Sequence, residues 1–159
     1  MTTKSDFDPE EWARIVRAPM VAGLAITLAD PGGPIEAAKE TMATMHSATS
    51  PPSREQLLSE VALDVQEMVQ HKQNPLKGYR PTGDQPTGDL VLAELREVHD
   101  IVAAKASPEE SAAFGEWLVG AARAAAEAAR EGGFLGFHAV RVSEREQAMI
   151  DRVRETVAA

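Results

Sequence analysis

The chain has 159 residues and no cysteine, which fits a single domain and excludes disulfides, iron–sulfur clusters and cysteine nucleophiles. The formal net charge of −9 argues against a nucleic-acid partner, because affinity for phosphates comes mainly from lysine and arginine. No apolar run reaches the roughly 20 residues that cross a bilayer, and the polar residues 1–8 lack the pattern of a signal peptide. We therefore predict a cytoplasmic protein with no membrane partner.

The N-terminal part of the sequence predicts two helices separated by a proline. Residues 1–7 are expected to form a flexible tail, and Asp8 followed by Pro9 is typical of a capped helix start. Pro19 is expected to interrupt or kink this first helix, because proline lacks the amide hydrogen that an interior position needs. The second helix then covers 20–29, where nearly every residue is apolar, and this composition predicts a place in the middle of a bundle.

Two further helices and a long polar stretch follow. The breaker residues 31–34 end the second helix, and a third is predicted at 35–46. Ser53 and Gln56 have the spacing of a capping box, so we expect the fourth helix to open at Ser53. Residues 74–89 are polar and rich in proline and glycine, which predicts a long exposed loop.

The C-terminal half predicts three more helices. The fifth covers 90–105, and the sixth runs from a cap at Ser107 to about residue 131, where two glycines end it. Residues 134–142 carry no helical signal, and the seventh helix begins after Ser143. Seven helical segments with almost no strand signal predict an all-α fold, a compact bundle with the second and sixth helices at its centre.

Catalytic motifs are missing from the sequence. There is no nucleophile elbow, phosphate-binding loop or dinucleotide fingerprint. Asp64, Glu67 and His71 share one helix face, but a solvated polar face explains them better than a metal site does. His138 lies in an apolar segment and is interpreted as a structural histidine. We therefore predict no catalytic residue and no cofactor.

The segment Leu24–Glu40 resembles the repeat unit of the TerB-like tellurite-resistance family. In that family an apolar helix ends in an acidic turn, and an acidic residue follows early in the next helix. Here Asp30 and Glu36 stand in those places, although Pro31 replaces a glycine of the family pattern. The resemblance implies a metal site at Asp30 and Glu36, with Gly136–Ile150 as a second unit. Two carboxylates alone are too few ligands for a hard cation, so we expect no tight site.

A second resemblance concerns the C-terminal part of the chain. Residues 131–136 and 140–143 are similar to the C-terminal part of uncharacterised bacterial helical proteins, and this similarity implies no function.

Two features of the sequence suggest interactions with other proteins. A small basic and aromatic cluster lies in or next to the polar stretch and consists of Lys72, Lys77, Tyr79 and Arg80. We interpret it as a contact surface for a partner, and the alternative interpretation is a plain linker. The predicted sixth helix has aromatic residues and many alanines, more apolar surface than one neighbour covers, which favours a homodimer.

These observations favour a non-catalytic helical interaction or accessory protein with an unknown protein partner, a stress-related role being one option. A TerB-like metal-binding protein is the first alternative. An enzyme whose site is assembled from scattered residues is the second.

Overall fold

The computed structural model describes residues 1–130 and 142–158. The predicted glycine stop at 132–133, nearly all of the segment 134–142 and His138 lie outside these residues. Within them the chain forms helices and no strand, which confirms the all-α fold class. A short 3-10 helix, Lys4–Asp6, precedes six α-helices: α1 Pro9–Ala29, α2 Pro34–Ala48, α3 Gln56–Gln70, α4 Thr87–Lys105, α5 Pro108–Arg130 and α6 Glu144–Val157.

The first helix continues through Pro19, so the predicted interruption there is wrong, and the described residues contain six α-helices rather than seven. A proline inside a helix costs about 3 kcal/mol, through a lost hydrogen bond and a clash with the preceding turn. Ala18, Pro19 and Met20 are all buried in the core. Burial of both flanks against neighbouring helices offsets this local cost, and the helix therefore remains intact.

Helices α1 and α5 lie at the centre of the bundle. They pack against each other, α2 packs on both, and α4 and α6 also contact both. The predicted central positions are therefore confirmed, with α1 containing the second predicted helix. The aromatic side chains of α5 are covered, since Phe114 and Trp117 are at most 2% exposed. The aromatic surface that favoured a homodimer is therefore covered within the chain. The homodimer stays a prediction.

Capping boxes form at the predicted starts of α1 and α6. The Asp8 carboxylate accepts a hydrogen bond from the Glu11 amide at 2.8 Å, and the Ser143 hydroxyl accepts one from the Glu146 amide at 3.1 Å. In both boxes the glutamate carboxylate accepts the amide of the capping residue in return. These bonds satisfy amide groups that would otherwise lack partners at a helix start.

The box predicted at Ser53 is wrong. Helix α3 begins at Gln56, and the capping position is held by Glu55 without a side-chain bond. The side-chain amide of Gln56 donates instead to Glu60, one turn further on, at 3.4 Å. The glutamine that should have reached back to the cap is therefore directed along the helix.

Residues 1–7, expected to form a flexible tail, pack on the bundle. The Thr2 amide donates to the Glu110 carboxylate at 3.0 Å, and Thr2 is only 5% exposed. The Phe7 ring is also buried, with its centroid 5.9 Å from that of Trp12. A hydrophobic staple of this kind fixes the direction in which the chain enters a helix.

The stretch between α3 and α4 is anchored at one end and exposed at the other. Helix α4 starts at Thr87, three residues before the predicted start, so the loop predicted at 74–89 is shorter. Leu76 and Tyr79 are half-buried against the core, whereas residues 82–86 are exposed.

Among the described helices, α1 is the one that is long and apolar enough to span a membrane. Its most apolar window is 61% buried inside the bundle. A helix at the centre of a bundle can be as long and as apolar as a membrane span. The apolar residues of α1 are mostly buried against the other helices.

Candidate functional site

A groove of about 490 Å³ lies between the C-terminal half of α4, the N-terminal half of α5 and the C-terminal end of α6. We call it the α4–α5–α6 groove. This volume lies within the range of about 300–1,000 Å³ that is usual for ligand pockets. The residues that matter for its chemistry are His99, Ser111, Gly115, Glu116, Val119 and Arg154.

His99 lines the groove from a core position of α4. It follows Leu95 by four residues and precedes Val102 by three, and all three side chains are buried on one stripe. His99 itself is 3% exposed. Neither ring nitrogen has a hydrogen-bond partner among the described residues. A buried polar group without a partner destabilises the fold, so its retention at this position needs an explanation.

Ser111 reaches the same groove from the first turn of α5. Only Ala106 and Ser107 separate α4 from α5, and the Ser107 hydroxyl accepts the Glu110 amide at 3.1 Å, which confirms the predicted cap. The following residue, Ser111, is 8% exposed, and its hydroxyl also has no partner within the described part of the chain. Two unpartnered polar side chains from different helices therefore line one cavity.

Helix α6 closes one side of the groove. It approaches α5 closely at Gly115, where an added Cβ would lie 3.0 Å from the Val157 carbonyl oxygen. The Arg154 side chain lines the groove and is 48% exposed, and among the described residues it makes one long contact, of 3.4 Å to Asp151. Its remaining N–H groups are available to a ligand, and the exposed Glu116 also lines the groove.

Glu110 lies next to Ser111 in sequence, but its carboxylate serves the fold. It accepts the Ser107 amide at 3.1 Å and both the amide and the hydroxyl of Thr2. The bond from the Thr2 hydroxyl, followed by the amide bonds, holds the pKa of Glu110 below its usual value despite burial. The ionised carboxylate is therefore stabilised by hydrogen-bond donors of Thr2 and Ser107.

The predicted metal ligands Asp30 and Glu36 lie at the junction of α1 and α2. Asp30 is the C-terminal cap of α1, with its amide donating to the Ile26 carbonyl at 3.2 Å, and Glu36 lies in the first turn of α2. One turn later Glu40 is 2% exposed and accepts a hydrogen bond from the Thr27 hydroxyl.

Burial raises the pKa of Glu40, and the Thr27 bond lowers it in part. The negative charges of Glu146, Asp30 and Glu36 raise it further. In the part of the chain that the structure describes, no three histidine or acidic side chains are grouped so that they could hold a metal ion. The metal site at Asp30 and Glu36 remains a prediction.

The predicted basic and aromatic cluster is spread along the stretch after α3. Lys72, Lys77 and Arg80 are exposed, whereas Tyr79 is half-buried and its hydroxyl has no partner among the described residues. Burial raises the pKa of Tyr79. No hydrogen bond between the four described side chains brings them together, and a protein partner for them remains a prediction.

The acidic helix face at Asp64 is fixed by contacts with the N-terminal segment. The Trp12 indole donates to Asp64 at 2.7 Å, and the Lys4 ammonium lies 3.0 Å from the same oxygen. Asp64 is thus a structural partner of α1 as well as part of a polar face.

His99 and Ser111 were not singled out from the sequence. One sequence signal could have identified His99: it is a polar residue at a core position of an otherwise apolar helix stripe. Ser111 gave no signal, because serine is common in the first turn of a helix.

No protein-family model matches the chain, and neither a curated protein nor a solved structure matches it. The resemblance to the TerB-like family therefore stays a prediction.

Proposed function

We propose that this protein is a non-catalytic binding protein and that its ligand occupies the α4–α5–α6 groove. The observation that carries the proposal is that two residues lining this groove, His99 and Ser111, have buried polar atoms without hydrogen-bond partners in the described residues. Each such group costs about 1–3 kcal/mol when left unpaired. A ligand that bonds to them would offset that cost, and the apolar walls of the groove would cover the rest of the ligand.

A role in ligand binding explains the unpartnered side chains of His99 and Ser111 better than a role in catalysis does. A serine nucleophile needs a base within hydrogen-bond reach, and that base needs a further group to orient it. The side chains of Ser111 and His99 do not bond to each other, and no described carboxylate bonds to the His99 ring. The arrangement offers two hydrogen-bonding groups on an apolar floor, which is the usual composition of a recognition site.

Two neighbouring alanines of α4 give a matched test. Ala103 and Ala104 are both exposed, but of the two only Ala103 lines the groove. A panel of small apolar fragments with neutral, anionic and cationic head groups would be titrated into the protein and followed by backbone NMR. We expect at least one fragment to shift the amides of Ser111, Gly115 and Val119.

In this experiment Ala103→Trp should abolish the shifts, because an indole would fill the groove, and Ala104→Trp should preserve them. The proposal is wrong if no fragment shifts these amides, or if the two variants behave alike. The metal-binding alternative, which has the ligand pair Asp30 and Glu36 alone, predicts that both variants bind metal equally.

A further inference from the structure

The groups that line the α4–α5–α6 groove include more free donors than one neutral ligand group can use. The Ser111 hydroxyl and at least one His99 ring nitrogen carry hydrogens with no partner in the described residues. Arg154, whose one contact within the described part of the chain is the long one to Asp151, adds further N–H groups. A carboxylate has two oxygens with about four lone-pair sites, and its bonds to such donors are stronger than those of a neutral acceptor.

The acidic groups near the groove do not cancel its preference for a carboxylate ligand. The carboxylate of Glu110 is engaged by Thr2 and by the Ser107 amide. Glu116 lines the groove but is exposed, so water and salt screen its charge. Among the described residues that line the groove, Arg154 is the cation that can meet an anionic head group, while Val119 and Val157 offer apolar surface for the body of a ligand.

We propose that the ligand of the groove is a small carboxylic acid with an apolar body, whose carboxylate accepts bonds from His99, Ser111 and Arg154. This assignment rests on the proposed binding function and narrows it to one class of ligand. The acid is a free small molecule, because the groove is a local cavity of about 490 Å³ rather than an extended surface.

Three probes with one chain and different head groups test the assignment: hexanoate, hexanamide and hexylammonium. Each would be titrated into the full chain at fixed pH and ionic strength, with the amides of Ser111 and Gly115 followed by NMR. We expect hexanoate to bind about ten-fold more tightly than hexanamide, since hydrogen bonds to a charged acceptor are worth more than neutral ones. Hexylammonium should bind more weakly than either.

Two arginines of α6 provide a matched pair of variants. Arg154 lines the groove, whereas Arg145 is exposed in the first turn of the same helix and lies outside it. Arg154→Gln should weaken hexanoate by about five-fold and leave hexanamide within two-fold, as expected for a partly exposed charge contact. Arg145→Gln should leave both unchanged, and Glu116→Gln should tighten hexanoate by about two-fold through the loss of a like charge.

The outcomes separate this assignment from the proposed function. If hexanamide or hexylammonium binds in the groove as tightly as hexanoate, the carboxylate class is wrong and the binding function stands. If a peptide with a free C-terminal carboxylate binds the groove and hexanoate does not, the small-molecule source is wrong. If neither these probes nor the fragment panel shifts the groove amides, both proposals are wrong.

Discussion

Gly23 of α1 lies directly against Thr44 of α2, and a Cβ added to Gly23 would stand 2.5 Å from the Thr44 methyl carbon. Thr44 cannot move away easily, because it is 2% exposed and its hydroxyl donates to the Glu40 carbonyl at 2.7 Å. The absence of a side chain at Gly23 therefore sets how closely α1 and α2 approach.

Gly23→Ala should lower the free energy of unfolding by about 1–3 kcal/mol, the usual cost of overpacking a core. Gly120→Ala is the matched control, since Gly120 also lies within a helix but an added Cβ meets nothing within 4 Å. That change should raise stability by about 1 kcal/mol through helix propensity. Urea denaturation of both variants measures the difference, and an increase for Gly23→Ala would contradict the close approach.

Lys72 holds a backbone conformation that suits glycine. Its φ of 57° is in the left-handed region, and the Gln73 amide donates to the Met68 carbonyl at 2.8 Å in a Schellman arrangement after α3. Lys72→Gly should raise the free energy of unfolding by about 1 kcal/mol, because relief of left-handed strain exceeds the added entropy of the unfolded chain. Lys77→Gly, at a position without positive φ, should lower it.

Thermal unfolding with calorimetry would compare these two lysine variants at one pH. If Lys72→Gly destabilises the protein, the side chain of Lys72 makes a contribution that outweighs its backbone strain. The same variant bears on the predicted interaction cluster: a partner that contacts Lys72 should bind Lys72→Gly less well despite its greater stability.

Much of the fold follows from local sequence signals. Asp8, Ser107 and Ser143 each predicted a helix start correctly, because capping depends on residues three positions apart. The interruption predicted at Pro19 is wrong, because the local cost of a proline is visible in the sequence and the burial that offsets it is not. The capping box predicted at Ser53 is wrong for a related reason. Gln56 has the right spacing for the box, but its side chain bonds to Glu60 instead.

The candidate site could not be found in the same way. Asp30 and Glu36 follow from the resemblance to the TerB-like family, and the residues of the basic cluster are grouped because they are close in sequence. The groove depends on side chains from three helices, with 55 positions separating His99 from Arg154. Periodicity indicates which face of a helix is buried, but not which helices meet there. A histidine on an otherwise apolar stripe was the single local sign.

Glu40 and Glu110 have pKa shifts of opposite sign, and this predicts opposite effects of neutralising them. Burial is the main reason that the pKa of Glu40 is raised, so its ionised form destabilises the fold at neutral pH. Glu40→Gln should raise stability at pH 7, because glutamine can still accept the Thr27 hydroxyl. The gain should vanish below about pH 4.3, the unfolded value for glutamate, where Glu40 is protonated in both states.

Glu110 should respond in the other direction. Bonds from Thr2 lower its pKa, so its stabilising effect is present above the unfolded value and is lost as the pH falls through its folded value. Glu110→Gln should therefore lower the free energy of unfolding at pH 7 by about 1 kcal/mol, the typical value of a helix cap, and by less in acid. Urea titrations at pH 7 and pH 4 would test both variants, and shifts of the same sign at pH 7 would contradict this assignment.

Ser111 links stability to ligand binding. Its hydroxyl is buried without a partner in the described residues, so removing it should relieve an unpaired polar group. Ser111→Ala is expected to raise the free energy of unfolding by about 1–2 kcal/mol in the free protein. Ser59→Ala on α3 is the control, because the half-buried Ser59 lies outside the groove and should gain only the helix propensity of alanine, about 0.5 kcal/mol.

The same Ser111→Ala variant should bind hexanoate about five-fold more weakly, since one donor to the carboxylate is lost. Greater stability combined with weaker binding is the pattern of a residue kept for function at the expense of the fold. Denaturant unfolding without ligand and an NMR titration with hexanoate measure the two effects separately. A loss of stability in Ser111→Ala would mean that the hydroxyl has a partner within the protein, and the groove would then lose one of the two side chains on which its proposed role rests.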